Sequence, residues 1–282
     1  MPSHAGTPPI NGPINGPING PTEPLIQADR LNRVYHRPRT SLTRPGAAVH
    51  ALRDVSLTVR RGERHGIVGE SGSGKSTLLR LLCALDQPTS GTIRFDGQEI
   101  TGRPERRLRF LRENLQIVFQ DPMSSLDPRM RVRDLVAEPL TALGLPVGDR
   151  VAELLDAVGL PAEAAGRYPH QFSGGQRQRI AIARALAPKP KVLVADEPVS
   201  ALDVSVRGQI LNLLADLVDE LGLTLVFVSH DLSVVRHVCE TVSVMRHGEI
   251  VEGGLVDDVW AAPAHPYTRE LLAAVPTLEG FA

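Results

Sequence analysis

The apolar positions of this chain change period along its length. Short unbroken apolar runs occur at HGIVG (65–69), KVLVA (191–195) and LTLVFVS (223–229). Runs without alternation predict strands of a parallel sheet covered on both faces. After HGIVG comes a glycine turn, and then STLLRLLCALD (76–86) repeats its apolar residues at helical spacing, with Pro88 as the stop. Between the second and third runs, VSVRGQILNLLADLVDELG (204–222) puts Val206, Ile210, Leu213, Leu214, Leu217 and Leu221 on one helical face. Gly222 stands at the exit, where a left-handed residue is favoured. Strand, helix and strand together predict a βαβ unit. TIRFDGQEI (92–100) and TVSVMRHGEIVEGG (241–254) predict hairpins turning at Asp96-Gly97 and His247-Gly248.

The stretch from roughly 116 to 185 differs. Its segments VRDLVAEPLTALG, RVAELLDAVGL and GQRQRIAIARALA are helical in period, with no strong strand between them. They predict a helical insert carried by the α/β core. Residues 1–24 hold INGP three times in a row and no apolar periodicity, which predicts a disordered tail.

Composition narrows the function classes. Of 282 residues, 42% are hydrophobic and 22% charged, as in ordinary globular domains. A net charge of −1 supplies no bulk attraction to nucleic acid or acidic lipid, so no nucleic-acid partner is expected. LGLTLVFVS is about half the length that spans a bilayer, and MPSHAGTPP has neither a basic flank nor an apolar core. A chain that neither crosses a membrane by itself nor carries a secretory signal is expected. The two cysteines, Cys83 and Cys239, sit in apolar surroundings and read as buried hydrophobes of a reducing, cytoplasmic compartment.

Candidate chemistry begins at Gly69-Glu70-Ser71-Gly72-Ser73-Gly74-Lys75-Ser76-Thr77, a match to G-x-x-x-x-G-K-[ST] between a predicted strand and a predicted helix. Such a loop wraps backbone N–H groups around phosphates at a helix N-terminus. Lys75 is placed to reach the β- and γ-phosphates of a nucleotide, and the Ser76 hydroxyl to take a Mg²⁺ position. KVLVADEP ends a strand in two carboxylates. Adjacent strand residues point to opposite faces, but Glu197 lies where the strand ends, so both groups can approach one site. Asp196 is the expected Mg²⁺ partner and Glu197 the expected general base for the attacking water. His230 follows the next strand at the same end of the sheet, suited to contact the γ-phosphate and hold Glu197. Gln120, in VFQDP, is a neutral side chain suited to contact Mg²⁺ or water. FSGGQRQR (172–179) is a second glycine turn opening a helix, whose N-terminus can stabilise an anion.

Together GESGSGKST, Gln120, FSGGQRQR, ADEP, SALD and SH resemble the nucleotide-binding subunit of ATP-binding cassette (ABC) transporters. The resemblance runs from about Leu25 to the C-terminus. It implies an α/β P-loop NTPase core, a RecA-like sheet with an antiparallel β subdomain, plus the helical subdomain insert. The ATP-binding domain would occupy 25–262 and a C-terminal extension 263–282. It further implies head-to-tail pairing, in which Ser173, Gly174, Gly175 and Gln176 bind the γ-phosphate held by a partner's loop. Asp203, in SALD, would then sit at the dimer seam, and Tyr35 resembles the aromatic that stacks on adenine, followed by a longer loop, RTSLTRPG (39–46).

Longer stretches point to a branch. FQDPMSSLDPRM, RYPHQFSGGQRQRIAIARAL, DEPVSALDVSVRGQILNLL and HPYTRELLAAVP are similar to ATPase subunits of bacterial oligopeptide and dipeptide importers, a branch shared with nickel and glutathione importers. The implied partners are a second, similar or identical ATPase subunit, two membrane permease subunits, and indirectly an extracytoplasmic substrate-binding protein. The implied location is peripheral, on the cytoplasmic face of the membrane. The segment after Gln120 would receive the membrane subunit's cytoplasmic helix. No cysteine follows Cys239, so the iron–sulfur cluster of some branch members is not expected here. HPYT (265–268) is expected to pack on the core, and RPERRLRFLRE (103–113) to be a solvated helix face rather than a docking patch. An ABC ATPase of DNA repair or translation is the rival class. Repair versions would need a coiled-coil or zinc insertion, and translation factors usually carry two cassettes. A plain P-loop kinase would leave FSGGQRQR and SALD without a role.

Overall fold

The computed structural model describes residues 23–36 and 48–274. The INGP repeats, the RTSLTRPG loop and the last residues of the extension lie outside the described residues. The described residues open with two long strands, β1 (Pro24–His36) and β2 (Ala48–Arg60), then β3 (Arg64–Val68) and α1 (Lys75–Leu82). A short hairpin follows, β4 (Ser90–Phe95) and β5 (Gln98–Glu99), then α2 (Arg109–Asn114) and β6 (Leu115–Val118). The helical segment comprises α3 (Pro122–Ser125), α4 (Val132–Ala142), α5 (Arg150–Ala157) and α6 (Gly174–Leu186). The chain then runs through β7 (Val192–Asp196), α7 (Val204–Leu221), β8 (Thr224–Ser229), α8 (Leu232–Val238), β9 (Thr241–Arg246) and β10 (Glu249–Leu255), ending in α9 (Val256–Ala261) and α10 (Pro266–Ala273).

The three apolar runs lie in one six-stranded sheet, ordered β10-β9-β3-β8-β7-β6, parallel except for β10. Both faces are covered, as unbroken apolar strands require. Successive residues therefore enter different cores. Val68, Leu193, Ala195, Leu225 and Phe227 face one that continues into the helical segment. Ile67, Val192, Val194, Val226 and Val228 face the other, with α1 and the second sheet. That second sheet, β2-β1-β4-β5, is antiparallel. Its long strands carry bulges, one between Ala28 and Leu31, and Arg30 and Asp54 take left-handed φ of 46° and 50°. The Arg53 N–H donates to the Gly248 carbonyl at 2.8 Å, tying the two sheets together.

Several sequence expectations need correction. Residues 116–118, counted with the helical insert, belong to β6 and pair with β7 in the parallel sheet. LQIV is too short for its period to declare itself. The helix after the phosphate loop stops at Leu82 rather than running on toward Pro88, because Ala84 takes a left-handed φ of 50°. On α7 the buried stripe is Ile210, Leu211, Leu214, Leu217 and Val218, while Leu221 is 49% exposed. The core meets α7 one residue round from the assumed face. Gly222 does take the left-handed C-cap, φ 60°. Pro24, assigned to the tail, opens β1.

RPERRLRFLRE is not simply solvated. Arg112 pairs with Glu105 and donates to the carbonyls of Cys83 and Ala84, and Arg109 donates to the Leu143 carbonyl. HPYT packs on the core, with Tyr267 1% exposed. Cys83 and Cys239 are buried free thiols, and burial pushes both upward in pKa. No helix among the described residues is long and apolar enough to cross a membrane.

Candidate active site

The site forms where parallel strands end together. The register sets Val68 beside Ser229, Val228 beside Asp196, and Ala195 beside Val118. The residues just past these strands, the loop from Gly69, Gln120, Glu197 and His230, therefore share one edge of the sheet, where open α/β sheets bind ligands.

The loop leaves β3 at Gly69, with φ 155°. A Cβ there would stand 2.2 Å from the Met245 carbonyl oxygen, so only glycine fits. Gly74 caps α1 in a left-handed conformation, φ 110°. Lys75 Nζ donates to the carbonyls of Gly69 at 2.6 Å and Glu70 at 3.0 Å. Burial lowers its pKa, against the opposing pull of Glu197, Asp196 and Glu70. Ser73 Oγ is buried without a hydrogen-bond partner among the described residues. Ser71 and Gly72 are exposed in the turn, and Ser76 and Thr77 lie in the first turn of α1, Ser76 exposed.

Strand β7 delivers both carboxylates to this loop. Asp196 is its last residue; Glu197 then takes φ 45° and donates its N–H to the Val228 carbonyl at 2.9 Å. A left-handed non-glycine residue costs about 1–3 kcal/mol and turns the chain. By this turn two adjacent residues both act on the Lys75 amine. Burial, then the Glu197 charge, raise the Asp196 carboxyl above its ordinary range, with Lys75 and Arg80 opposing. The Asp196 carboxylate has no hydrogen-bond or ion-pair partner among the described residues, while its backbone pairs with Val228 in the sheet. His230 Nδ1 lies 3.2 Å from Glu197 Oε2. Gln120 is exposed two residues beyond β6.

Among the described residues no group of three or more His, Cys, Asp or Glu could hold a metal ion by itself. The hard oxygen donors of Ser76, Gln120 and Asp196 suit a Mg²⁺ that takes its other ligands from phosphate and water.

The second glycine turn stands apart. Ser173 Oγ accepts from the Gln176 N–H at 3.3 Å, and Gln176 Oε1 accepts from the Ser173 N–H at 3.0 Å, a reciprocal cap on α6. A Cβ on Gly175 would lie 2.4 Å from Val206 Cγ1, and one on Gly174 3.3 Å from Leu202 Cδ2. The turn thus packs on the SALD segment, where Asp203 is the exposed N-cap of α7 with no side-chain cap bond. Among the described residues no hydrogen bond or ion pair joins residues 173–176 to the phosphate loop.

Tyr35 is partly buried. Its hydroxyl donates to Asp86 at 2.8 Å, and the Arg33 guanidinium covers its ring at 4.5 Å. Arg33 also holds Asp86 through two bonds of 3.0 and 2.7 Å. Burial pulls the Asp86 carboxyl up, but the hydrogen bonds from Tyr35 and the Gln87 N–H, with the Arg33 charge, hold it below its ordinary range. Sequence reasoning missed this anchor, whose parts lie about fifty residues apart. It also missed the lining of a groove of about 320 Å³ formed by Leu85, Arg112, Ile117, Phe119, Pro139 and Arg184. Phe119, an exposed aromatic beside Gln120, was its local signal.

The model of the ABC transporter family matches residues 52–200. Over 261 residues the chain is 48% identical to the dipeptide transport ATP-binding protein DppF of Escherichia coli (strain K12), covering 91% of this chain and 78% of that protein. It is 50% identical over 261 residues to the glutathione import ATP-binding protein GsiA of the same organism, but covers only 42% of that longer protein. Among solved structures, a dimeric ATP-binding cassette in a post-hydrolysis state bound to ADP and Pi superposes with TM-score 0.72 at 33% identity, over 82% of this chain and 98% of that one. The cbiO1 protein of Clostridium perfringens, part of the transporter complex cbiONQ, gives 0.71 at 30% identity, over 90% and 96%.

Proposed function

The chain belongs to the ABC transporter family as an ATP-binding, ATP-hydrolysing subunit, and from this premise we propose that it powers import of peptides across the cytoplasmic membrane. The observation that carries the catalytic part is the convergence of Lys75, Asp196, Glu197 and His230 at one sheet edge. Cargo is supported by the 48% identity to the dipeptide transport subunit, of which this chain covers most. A glutathione cargo has its own support in the GsiA similarity.

Lys75 exchanges its two loop carbonyls for the β- and γ-phosphate oxygens of ATP. Ser76, Gln120 and Asp196 would hold Mg²⁺, which supplies charge neutralisation at those phosphates. Glu197 accepts the proton of the attacking water, and His230 keeps its carboxylate aimed. Ser173, Gly174, Gly175 and Gln176 serve the ATP of a second ATPase subunit, similar or identical, with Asp203 at the seam. ATP bridging both halves favours the closed pair, and hydrolysis removes the bridge. Tyr35 stacks on adenine. Two permease subunits are the membrane partners, and the groove beside Phe119 receives their cytoplasmic helix. An extracytoplasmic binding protein supplies cargo indirectly, and the subunit sits peripherally on the cytoplasmic face.

The test is copurification of the complex, followed by ATPase measurement with candidate cargoes. Stimulation by di- and oligopeptides is expected. Stimulation by glutathione or nickel alone would replace the peptide assignment.

A further inference from the structure

The HPYT motif has no part in the cycle above, yet its tyrosine reaches the phosphate loop. The Glu252 carboxylate accepts from the N–H groups of Ala264 at 2.7 Å and His265 at 3.0 Å, fixing where α10 begins. His265 caps that helix through Nδ1, which accepts from the Tyr267 N–H at 3.2 Å. The buried Tyr267 ring lies beneath the Arg246 guanidinium at 4.6 Å, and its Oη accepts from the Glu70 N–H at 2.8 Å.

That last bond matters because of what shares its peptide plane. The Glu70 N–H and the Gly69 carbonyl belong to one rigid amide. Its N–H end is held by Tyr267; its carbonyl end takes Lys75 Nζ at 2.6 Å. Gly69, the residue before the plane, is the most permissive type of residue and cannot fix the plane's rotation alone.

We propose that Tyr267 is a positioning residue for ATP: through the 69–70 peptide it sets the loop geometry from which Lys75 engages phosphate. This rests on the proposed use of that loop by ATP. The C-terminal extension thereby becomes part of the nucleotide site's support, although 197 residues of chain separate the two bonded groups.

The test uses the full chain and MgATP titration. Tyr267→Phe keeps the ring and removes only the hydroxyl. One lost hydrogen bond predicts about five-fold weaker MgATP binding. KM should rise by the same factor, kcat should stay within about two-fold, and the thermal midpoint should fall by no more than about 2–4 °C. Arg246→Met disturbs the packing around the ring but leaves the hydroxyl, and should bind MgATP within about two-fold of wild type. Tyr267→Phe binding as tightly as wild type, or tighter, overturns the proposal, as does an equal loss in Arg246→Met. Lys75→Ala separates the two levels. If wild type binds no MgATP, or Lys75→Ala binds as well as wild type, the underlying site assignment fails as well.

Discussion

Two glycine-rich turns open helices in this molecule, and their glycines are there for different reasons. In the loop at 69–77 the backbone demands glycine: Gly69, Gly72 and Gly74 all have left-handed φ. The loop is also internally braced, with Lys75 folded onto its own carbonyls beside two carboxylates. In the turn at 173–176 neither glycine has positive φ; Gly175 is small because Val206 occupies the space. Ser173, Gly174 and Gln176 of that turn are exposed, with Ser173 and Gln176 capping one another. On the proposed reading, the first loop grips the chain's own ATP with charge held beside it, and the second turn offers a neighbouring subunit a shaped surface and a helix N-terminus.

The largest expected effect breaks the first turn's partnership with Glu197. Glu197→Gln should retain ATP binding, lower hydrolysis by about 10²–10⁴-fold and accumulate closed dimers, read by ATPase assay and size exclusion. Normal turnover in the assembled transporter would remove Glu197 as the base. Next, Ser173→Arg adds bulk and charge at the second turn. In a mixed dimer it should disable the site on the opposite chain, and inactivation of its own chain's site instead would end the head-to-tail assignment.

A smaller effect separates the two kinds of glycine. Gly175→Ala should cost about 1–3 kcal/mol through overpacking while leaving ATP binding at Lys75 intact. Adding Val206→Ala should recover the thermal midpoint; no recovery would show that the space is not what Gly175 provides. The smallest effect concerns Asp196. Its folded pKa lies above the unfolded value, so the folded chain holds this proton more tightly. Stability should therefore fall as pH rises from the ordinary 3.8 through the raised value. Asp196→Asn should flatten that slope in ligand-free melts, and an unchanged slope would assign it to other groups.

Much of the site could be read directly. GESGSGKST needed only its flanks, since a strand's apolar run and a helix's period are local patterns. ADEP was legible as a strand end, and the expectation that Glu197 would deviate from strand geometry matches its φ of 45°. The antiparallel sheet was less legible from its own pattern. Bulges at Arg30 and Asp54 reset the alternation of β1 and β2, so neither strand shows one clean period. β6 was hidden by its four-residue length, which cannot separate strand from helix.

The sequence by itself determined the phosphate loop, the carboxylate pair, the βαβ unit and the hairpin turns. Each depends on residues within about one turn or strand of one another, where backbone preference and period act. Tertiary structure alone decided which α7 face is buried, why Gly175 is small, how Arg33 and Asp86 hold Tyr35, and that Tyr267 reaches the Glu70 N–H. Those outcomes depend on groups tens to hundreds of residues apart meeting in space, and no local period encodes such a meeting.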